Sequence, residues 1–268
     1  MAEIDAAEPV RPSGSQTLFR GLDVLEAVAD GVGGLQELAD HLELTRSTTY
    51  RLAAALVERR YLASTPRGGF RLGSKLLELG SAAHRDIDLV QLARPLIEDL
   101  SATTMDTVHL GIMEGDRALY LDKIAGRRRI TISSRVGEQQ PLSRTGLGKA
   151  LLLDDSPERW REIYRSEAHD ADDETVSAFV SRMTGYASAG HAFDLEENDD
   201  RVRCVAAPIR DSSDKIVAAI SVSSAVQYMD PERMTEISAD VRATAAAISE
   251  LFGWTGPQGL RPTPSRHK

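Results

Sequence analysis

The chain holds one cysteine in 268 residues, Cys204. A single thiol excludes an intramolecular disulfide and fits a reducing cytoplasm. No uninterrupted apolar run approaches the roughly 20 residues of a membrane span. The first residues, MAEIDAAEPVRPSGS, carry acids and no apolar core, so they do not read as a secretory signal. The histidines show no HxH or HExxH spacing, which argues against a catalytic zinc, and nothing in the sequence points to a cofactor. A net charge of −9 argues against indiscriminate binding to polyanions.

What is present is a local exception to that acidity. Residues 44–75 hold Arg46, Arg51, Arg59, Arg60, Arg67, Arg71 and Lys75 against one acid, Glu58, a local balance of +6. This is the electrostatic footprint of a nucleic-acid site. It overlaps the stretch LQELADHLELTRSTTYR at residues 35–51. Leu35, Leu38, Ala39 and Leu42 fall on one helical face. Leu44 tucks under a turn, and Thr45 is placed to cap a second helix. There Thr49, Leu52, Ala53 and Leu56 point inward. Arg46, Ser47, Thr48, Tyr50 and Arg51 face outward, a surface suited to a DNA major groove. Two amphipathic helices joined by a turn occur in any helical domain. The surrounding charge favours a helix-turn-helix.

In chain order, residues 15–30 read as a helix with Leu18, Leu22, Leu25 and Ala29 as its inward stripe, Val28 beside them. After the helix-turn-helix, YLASTPRGGFRLG (residues 61–73) reads as a β-hairpin wing. Arg67 at its tip and Arg71 on its return strand can reach phosphates. A short helix from residue 74 offers Leu76, Leu77 and Leu79 as a pairing surface. A polar stretch at 84–88 marks the preferred boundary. Beyond a helix at 89–102, the period changes to two at Val108, Leu110 and Ile112. Extended structure is expected to continue through Leu119 and Leu121 to Ile130 and Ile132. Helices are expected at 145–153, 156–164 and 172–184. Residues 193–203 read as an acidic segment leading into a strand at 202–209. A second strand follows at 216–224, and a last helix at 231–252. The pattern implies a mixed, largely antiparallel sheet covered by helices. Expected divisions are a flexible start at 1–14, a DNA-binding domain at 15–73, a linker helix at 74–88, an effector domain at 89–253 and a flexible tail at 254–268.

Seven pieces in this order resemble the IclR family of bacterial transcription regulators: SQTLFRGLDVLE, LQELADHLELTRSTTYRL, FRLGSKLLELG, LARPLIEDL, RVGEQQPLSRTGLGKALL, RCVAAPIRD and AAISVS. The resemblance covers roughly residues 15–250. It implies an α+β chain with an N-terminal winged helix-turn-helix, a linker helix and a C-terminal GAF-like effector domain. It also implies dimers, or tetramers made of two dimers, on a double-stranded DNA operator. The family's effector residues carry over to Gly146, Leu147, Asp194, Cys204, Ser221 and Ser223. The residues support this independently. Serines two apart on a strand share a face. The start of a helix presents free N–H groups to a carboxylate. A small organic acid is therefore the expected effector, with Asp194 accepting from a donor elsewhere on it. Three departures stand out. Leu147 is bulkier than usual, Arg201 replaces a usual glycine, and PLSR precedes the GLGKA helix.

A different class, a hydrolase using Cys204, would need an activated thiolate with a histidine and a third group in reach. Cys204 lies in the apolar run RCVAAPI, which has no such signature, so no catalytic residue is assigned.

Overall fold

The computed structural model describes residues 15–66, 68–86, 88–129 and 132–256. The wing tip Arg67, the expected extended residue Ile130, the segment 1–14 and the tail from 257 lie outside them. The chain divides between residues 87 and 88 into two compact units.

The first unit contains α1 (Gln16–Ala29), α2 (Leu35–His41), α3 (Arg46–Glu58), the strands β1 (Leu62–Ser64) and β2 (Phe70–Leu72), and α4 (Ser74–Asp86). The Thr45 side chain accepts from the Thr48 amide at 3.2 Å, which starts α3. Glu43 takes φ 52° between the two helices, a left-handed conformation costly for a residue with a Cβ. The two strands pair antiparallel, Leu62 opposite Leu72. A Cβ on Gly73 would collide with the Arg60 carbonyl, so the chain leaves the hairpin there only as glycine.

Val24, Ala27, Val28, Leu38, Ala53 and Leu62 form the core of this unit. This corrects the stripe expected for α1. Leu18 is 63% exposed and Leu22 43%, while Val24 is fully buried. Periodicity finds an apolar face but does not say what covers it.

The second unit is a six-stranded sheet in the order β5-β4-β3-β8-β7-β6. The strands are β3 (Thr107–Glu114), β4 (Arg117–Ile124), β5 (Gln139–Pro141), β6 (Ala192–Leu195), β7 (Val202–Arg210) and β8 (Ile216–Ala225), and every neighbouring pair runs antiparallel. Helices α5 (Leu89–Thr104) and α9 (Pro231–Leu251) belong with one core layer, which includes Ile97, Val108, Val205, Ile220 and Val241. Helices α6 (Gly146–Leu151), α7 (Pro157–Glu167) and α8 (Asp173–Ala189) belong with the other, around Leu152, Trp160, Phe179, Met183 and Ala206. A buried side chain of this size contributes about 1.5–3 kcal/mol.

Several elements differ from expectation. β5 and β6 are short edge strands that the sequence did not announce. α8 runs a turn beyond Thr184 and stops at Gly190, whose φ of 69° ends a helix at no steric cost. Ile132 is a buried loop residue, not part of a strand. Trp254, expected in the tail, donates its ring N–H to Asp214 at 2.7 Å.

One buried carboxylate ties this unit together. Asp106 follows α5, and its side chain is 0% exposed. It accepts from Arg128 at 2.6 Å, from Arg233 of α9 at 2.5 Å and from Ser224 of β8 at 2.6 Å. Asp106→Ala would leave two guanidinium groups without their counter-charge. We expect a loss of about 3–5 kcal/mol in urea unfolding of the full chain.

Candidate DNA interface and ligand cavity

The outer face of α3 is formed as its residues dictate. Thr49 and Ala53 are buried while Arg46, Ser47, Tyr50 and Arg51 are exposed, Tyr50 at 58%. Among the described residues, none of these four makes a side-chain hydrogen bond or ion pair, so all are free to meet a partner. Thr48 sits beside the cap. Its hydroxyl lies 2.8 Å from that of Thr45 and serves the cap. Arg71 is exposed on β2. The basic patch is smaller than the sequence count, because Glu78, just outside the counted segment, pairs with Arg60 at 2.8 Å and with Lys75 at 2.9 Å.

In the second unit the structure brings all six expected effector residues to one cavity of about 260 Å³. Strand register explains this. Asp194 lies opposite Cys204, and Cys204 opposite Ser223. Ser221 lies opposite His109. Directly opposed residues of antiparallel strands share a face, so side chains from four strands meet above the sheet. Gly146 and Leu147 close the space from the start of α6. Thr145 caps that helix by accepting from Gly148 at 3.0 Å. A Cβ on Gly148 would come within 2.5 Å of the Leu142 backbone, so the close approach of this turn depends on glycine.

Sequence reasoning missed His109, Tyr120, Ser134 and Asn198, which also line the cavity. His109 alternates correctly with Val108 and Leu110, the one signal that could have placed it. Its ring stacks on Tyr120 at 4.7 Å, and Nε2 lies 2.6 Å from the Ser134 hydroxyl. Burial, aided by Lys123, pushes its pKa down to about 3, so it is neutral at physiological pH. Lys123 donates to the carbonyls of Ile132 and Ser134 at 2.7 and 2.6 Å, holding that loop against the sheet.

On the other side of the cavity, Lys149 of α6 is fully buried. Its ammonium donates to the Phe193 carbonyl at 2.9 Å and pairs with Glu197. Burial lowers the lysine pKa and Glu197 opposes that shift. Arg182 of α8 also reaches Glu197 at 3.0 Å. The segment after β6 is thereby anchored where Asn198 and Asp199 line the cavity. Arg201, the departure from the family pattern, takes φ 65°. Left-handed backbone is what glycine adopts freely, which accounts for the family's usual residue there. The Arg201 side chain is exposed and not part of the lining.

Hydrolase geometry is not met. Cys204 lies 3.1 Å from the Ser223 hydroxyl, which is 3.4 Å from His109 Nδ1. A serine therefore stands between thiol and imidazole. Burial raises the thiol pKa, with Asp194 adding to the effect, and His109 is too weak a base to activate it.

A helix-turn-helix unit followed by an antiparallel sheet domain is the build of a transcription regulator. Residues 17–66 match the IclR helix-turn-helix domain, and residues 81–250 match the bacterial transcriptional regulator IclR C-terminal domain. The chain belongs to the IclR family of transcriptional regulators. It is 29% identical over 249 residues to the HTH-type transcriptional regulator XynR of Escherichia coli (strain K12), covering 89% of this chain and 98% of that protein. It is 28% identical to the DNA-binding transcriptional repressor YiaJ of the same organism, covering 93% and 92%. With the HTH-type transcriptional regulator BhcR of Paracoccus denitrificans (strain Pd 1222) identity is 32%, covering 88% and 87%. These relatives are named as regulators, not enzymes. The fold is also that of Pseudomonas aeruginosa HmgR, with TM-score 0.77 at 21% identity, covering 90% of this chain and 100% of that one. The Agobacterium tumefaciens repressor BlcR gives TM-score 0.75 at 22% identity, covering 91% and 100%.

The buried, protonated thiol generates a direct check. Native protein is expected to resist iodoacetamide at about pH 8 while the urea-unfolded chain reacts fully, as read by mass spectrometry. Rapid alkylation of the native chain would show an accessible thiolate and contradict the inert role given to Cys204.

Proposed function

We propose that this regulator is a cytoplasmic repressor that holds an operator through α3 and the hairpin and releases it when a small organic acid occupies the cavity. Residues 15–73 act as the DNA-binding part, 74–88 as the linker and 89–253 as the sensor. The observation that carries the DNA half is the outer face of α3: Arg46, Ser47, Tyr50 and Arg51, exposed and unengaged on a capped helix. Arginine can read guanine from such a face, and the hydroxyls can hold phosphates. Arg71 contacts the backbone from the hairpin, and Arg67 is assigned the same role on the sequence alone. Thr48, beside the cap, joins them as a DNA contact. The repressor name of YiaJ supports the sign of control. Among the described residues no helix is long and apolar enough to cross a membrane.

For the acid, the amides of Gly146 and Leu147 have no acceptor within α6, as at every helix start. α6 has six residues, so its dipole adds little and the two amides themselves are the attraction. Ser221 and Ser223 supply hydroxyls from the floor, Cys204 fills the space between them and Asp194, and Leu147 narrows the cavity over Gly111. To release DNA, the ligand must bind the free and DNA-bound states unequally.

Assembly follows from exposed apolar side chains in the first unit. Leu18, Phe19 and Leu22 of α1 are 63%, 41% and 43% exposed, and Leu77 and Leu79 of α4 are 78% and 43%. Two helix faces of this kind suit pairing with a second copy. Pairing also brings two half-sites together.

Two outcomes are expected. Arg46→Ala and Arg51→Ala should each weaken binding to a genomic operator fragment by about 1–3 kcal/mol, with affinity falling steeply as salt rises. Unchanged fluorescence anisotropy curves for both variants would remove α3 as the reading helix. Light scattering at micromolar concentration should give the mass of a dimer or tetramer, and Leu18→Glu with Leu22→Glu should shift it toward monomer. A monomeric parent would refute the pairing.

A further inference from the structure

The cavity is short of positive charge. Among the described residues its lining holds Asp194, Glu138 and Asp199 and no lysine or arginine. The nearby cations are committed elsewhere, the Lys149 ammonium to Glu197 and the Phe193 carbonyl, and the Lys123 ammonium to the carbonyls of Ile132 and Ser134. Asp194 is 2% exposed. Its Oδ1 accepts from the Glu197 amide at 2.8 Å. Its Oδ2 meets the Cys204 thiol at 3.9 Å, the limit of a sulfur hydrogen bond, and the Asn198 amide also donates toward the carboxylate. The carboxylate is therefore buried in the cavity wall with two backbone amides and a weak thiol as donors and, among the described residues, with no ion pair.

The amides offered to an acidic ligand lie close to this carboxylate's own backbone. A Cβ on Gly146 would stand 3.5 Å from the Asp194 nitrogen and 3.1 Å from Cys204 Cβ. A ligand carboxylate there shares a small, half-enclosed space with the Asp194 carboxylate. Two like charges so placed do not both stay ionised; one takes a proton. The ligand, a free acid of pKa below about 5, is the stronger acid. Resting on the reading of an acidic effector, we propose that the acid enters this cavity together with one proton, taken up on Oδ2 of Asp194. The protonated oxygen then becomes a donor, and can hydrogen-bond the ligand instead of repelling it.

The surrounding groups favour this. From β3 comes His109, neutral, and from β4 Tyr120, whose phenol burial keeps protonated. β7 brings the protonated Cys204. The loop before β5 brings Glu138, and the segment after β6 brings Asp199 and Glu197, all acidic. α8 brings Tyr186, and Arg182, whose charge is spent on Glu197. α6 brings Lys149, whose pull is weaker than the cost of burial. The outcome in the empty cavity is a carboxyl pKa raised to about 6, burial being the main cause. At pH 7 Asp194 is then mostly ionised when the cavity is empty, and a large further rise on binding, past the pH range tested below, keeps it protonated. The sign follows: acid binding is strongest below pH 6 and weakens as pH rises above it.

Titration calorimetry on the full chain tests this, with acetate, pyruvate and benzoate as probes. At about pH 7.5, runs in two buffers of different ionisation enthalpy count the protons. We expect close to one proton taken up per acid bound, and affinity falling about tenfold per pH unit between about pH 6.5 and 8. Asp194→Asn mimics the protonated form. It should bind the same acid with no proton uptake and with affinity independent of pH over that range. Acid binding by the parent without proton uptake would overturn the proposal, meaning that Asp194 stays ionised and meets a donor on the ligand. Uptake that persists in Asp194→Asn would overturn it too. If none of the three acids binds either protein at any pH, the acidic-effector reading itself fails and this proposal falls with it.

Discussion

Two arginines and a serine converge on a single buried carboxylate, Asp106, and the geometry of the second unit depends on that meeting. The residue stands between α5 and β3. It pulls in Arg128 from beyond β4, Arg233 from α9 and Ser224 from β8. β3 therefore begins in a fixed place beside β8, with Thr107 opposite Ser223 and His109 opposite Ser221. A slip of one residue would turn Ser221 and Ser223 to the other face of the sheet. Ser223 and Ser224 are neighbours on β8. One faces the cavity, and the other is bonded to the carboxylate.

The cavity shows a second electrostatic economy. A fully buried lysine would be very costly alone. Here Lys149 is satisfied by Glu197, which Arg182 also reaches. The same acid presents its amide to Asp194. The positive charge of Lys149 holds the wall and does not face the cavity. That leaves a space lined by hydroxyls, a neutral imidazole and carboxylates, where recognition rests on hydrogen bonds.

The sequence made the long elements legible for physical reasons that can be named. α3 announces itself through a threonine cap and an inward stripe, and β8 through strict alternation. The edge strands β5 and β6 span three and four residues. Their identity comes from pairing with β4 and β7, information that no local window contains. The face of α1 was misassigned because Leu18 and Leu22 are as apolar as any core residue, and periodicity is silent about what covers a face. The six cavity residues were named through family resemblance. Strand alternation alone would have paired Ser221 with Ser223 and gone no further. His109 and Tyr120 escaped because a histidine and a tyrosine in strands usually serve packing. Glu78, one turn past the counted basic segment, shows why a charge tally overstates a patch.

The floor and the rim of the cavity are built from different kinds of structure. The floor is β-sheet, locked by register and by the Asp106 cluster. The rim is two irregular segments, one around Ser133 and Ser134, the other around Asn198 and Asp199. Each is fastened from outside the cavity, the first by Lys123 and the second through Glu197. The fastenings grip backbone carbonyls or a single acid, not the side chains that face the cavity. Rim side chains can therefore be exchanged while floor and fastenings stay in place. One scaffold can in this way carry different side chains at the mouth of its cavity by point changes that leave the sheet beneath undisturbed.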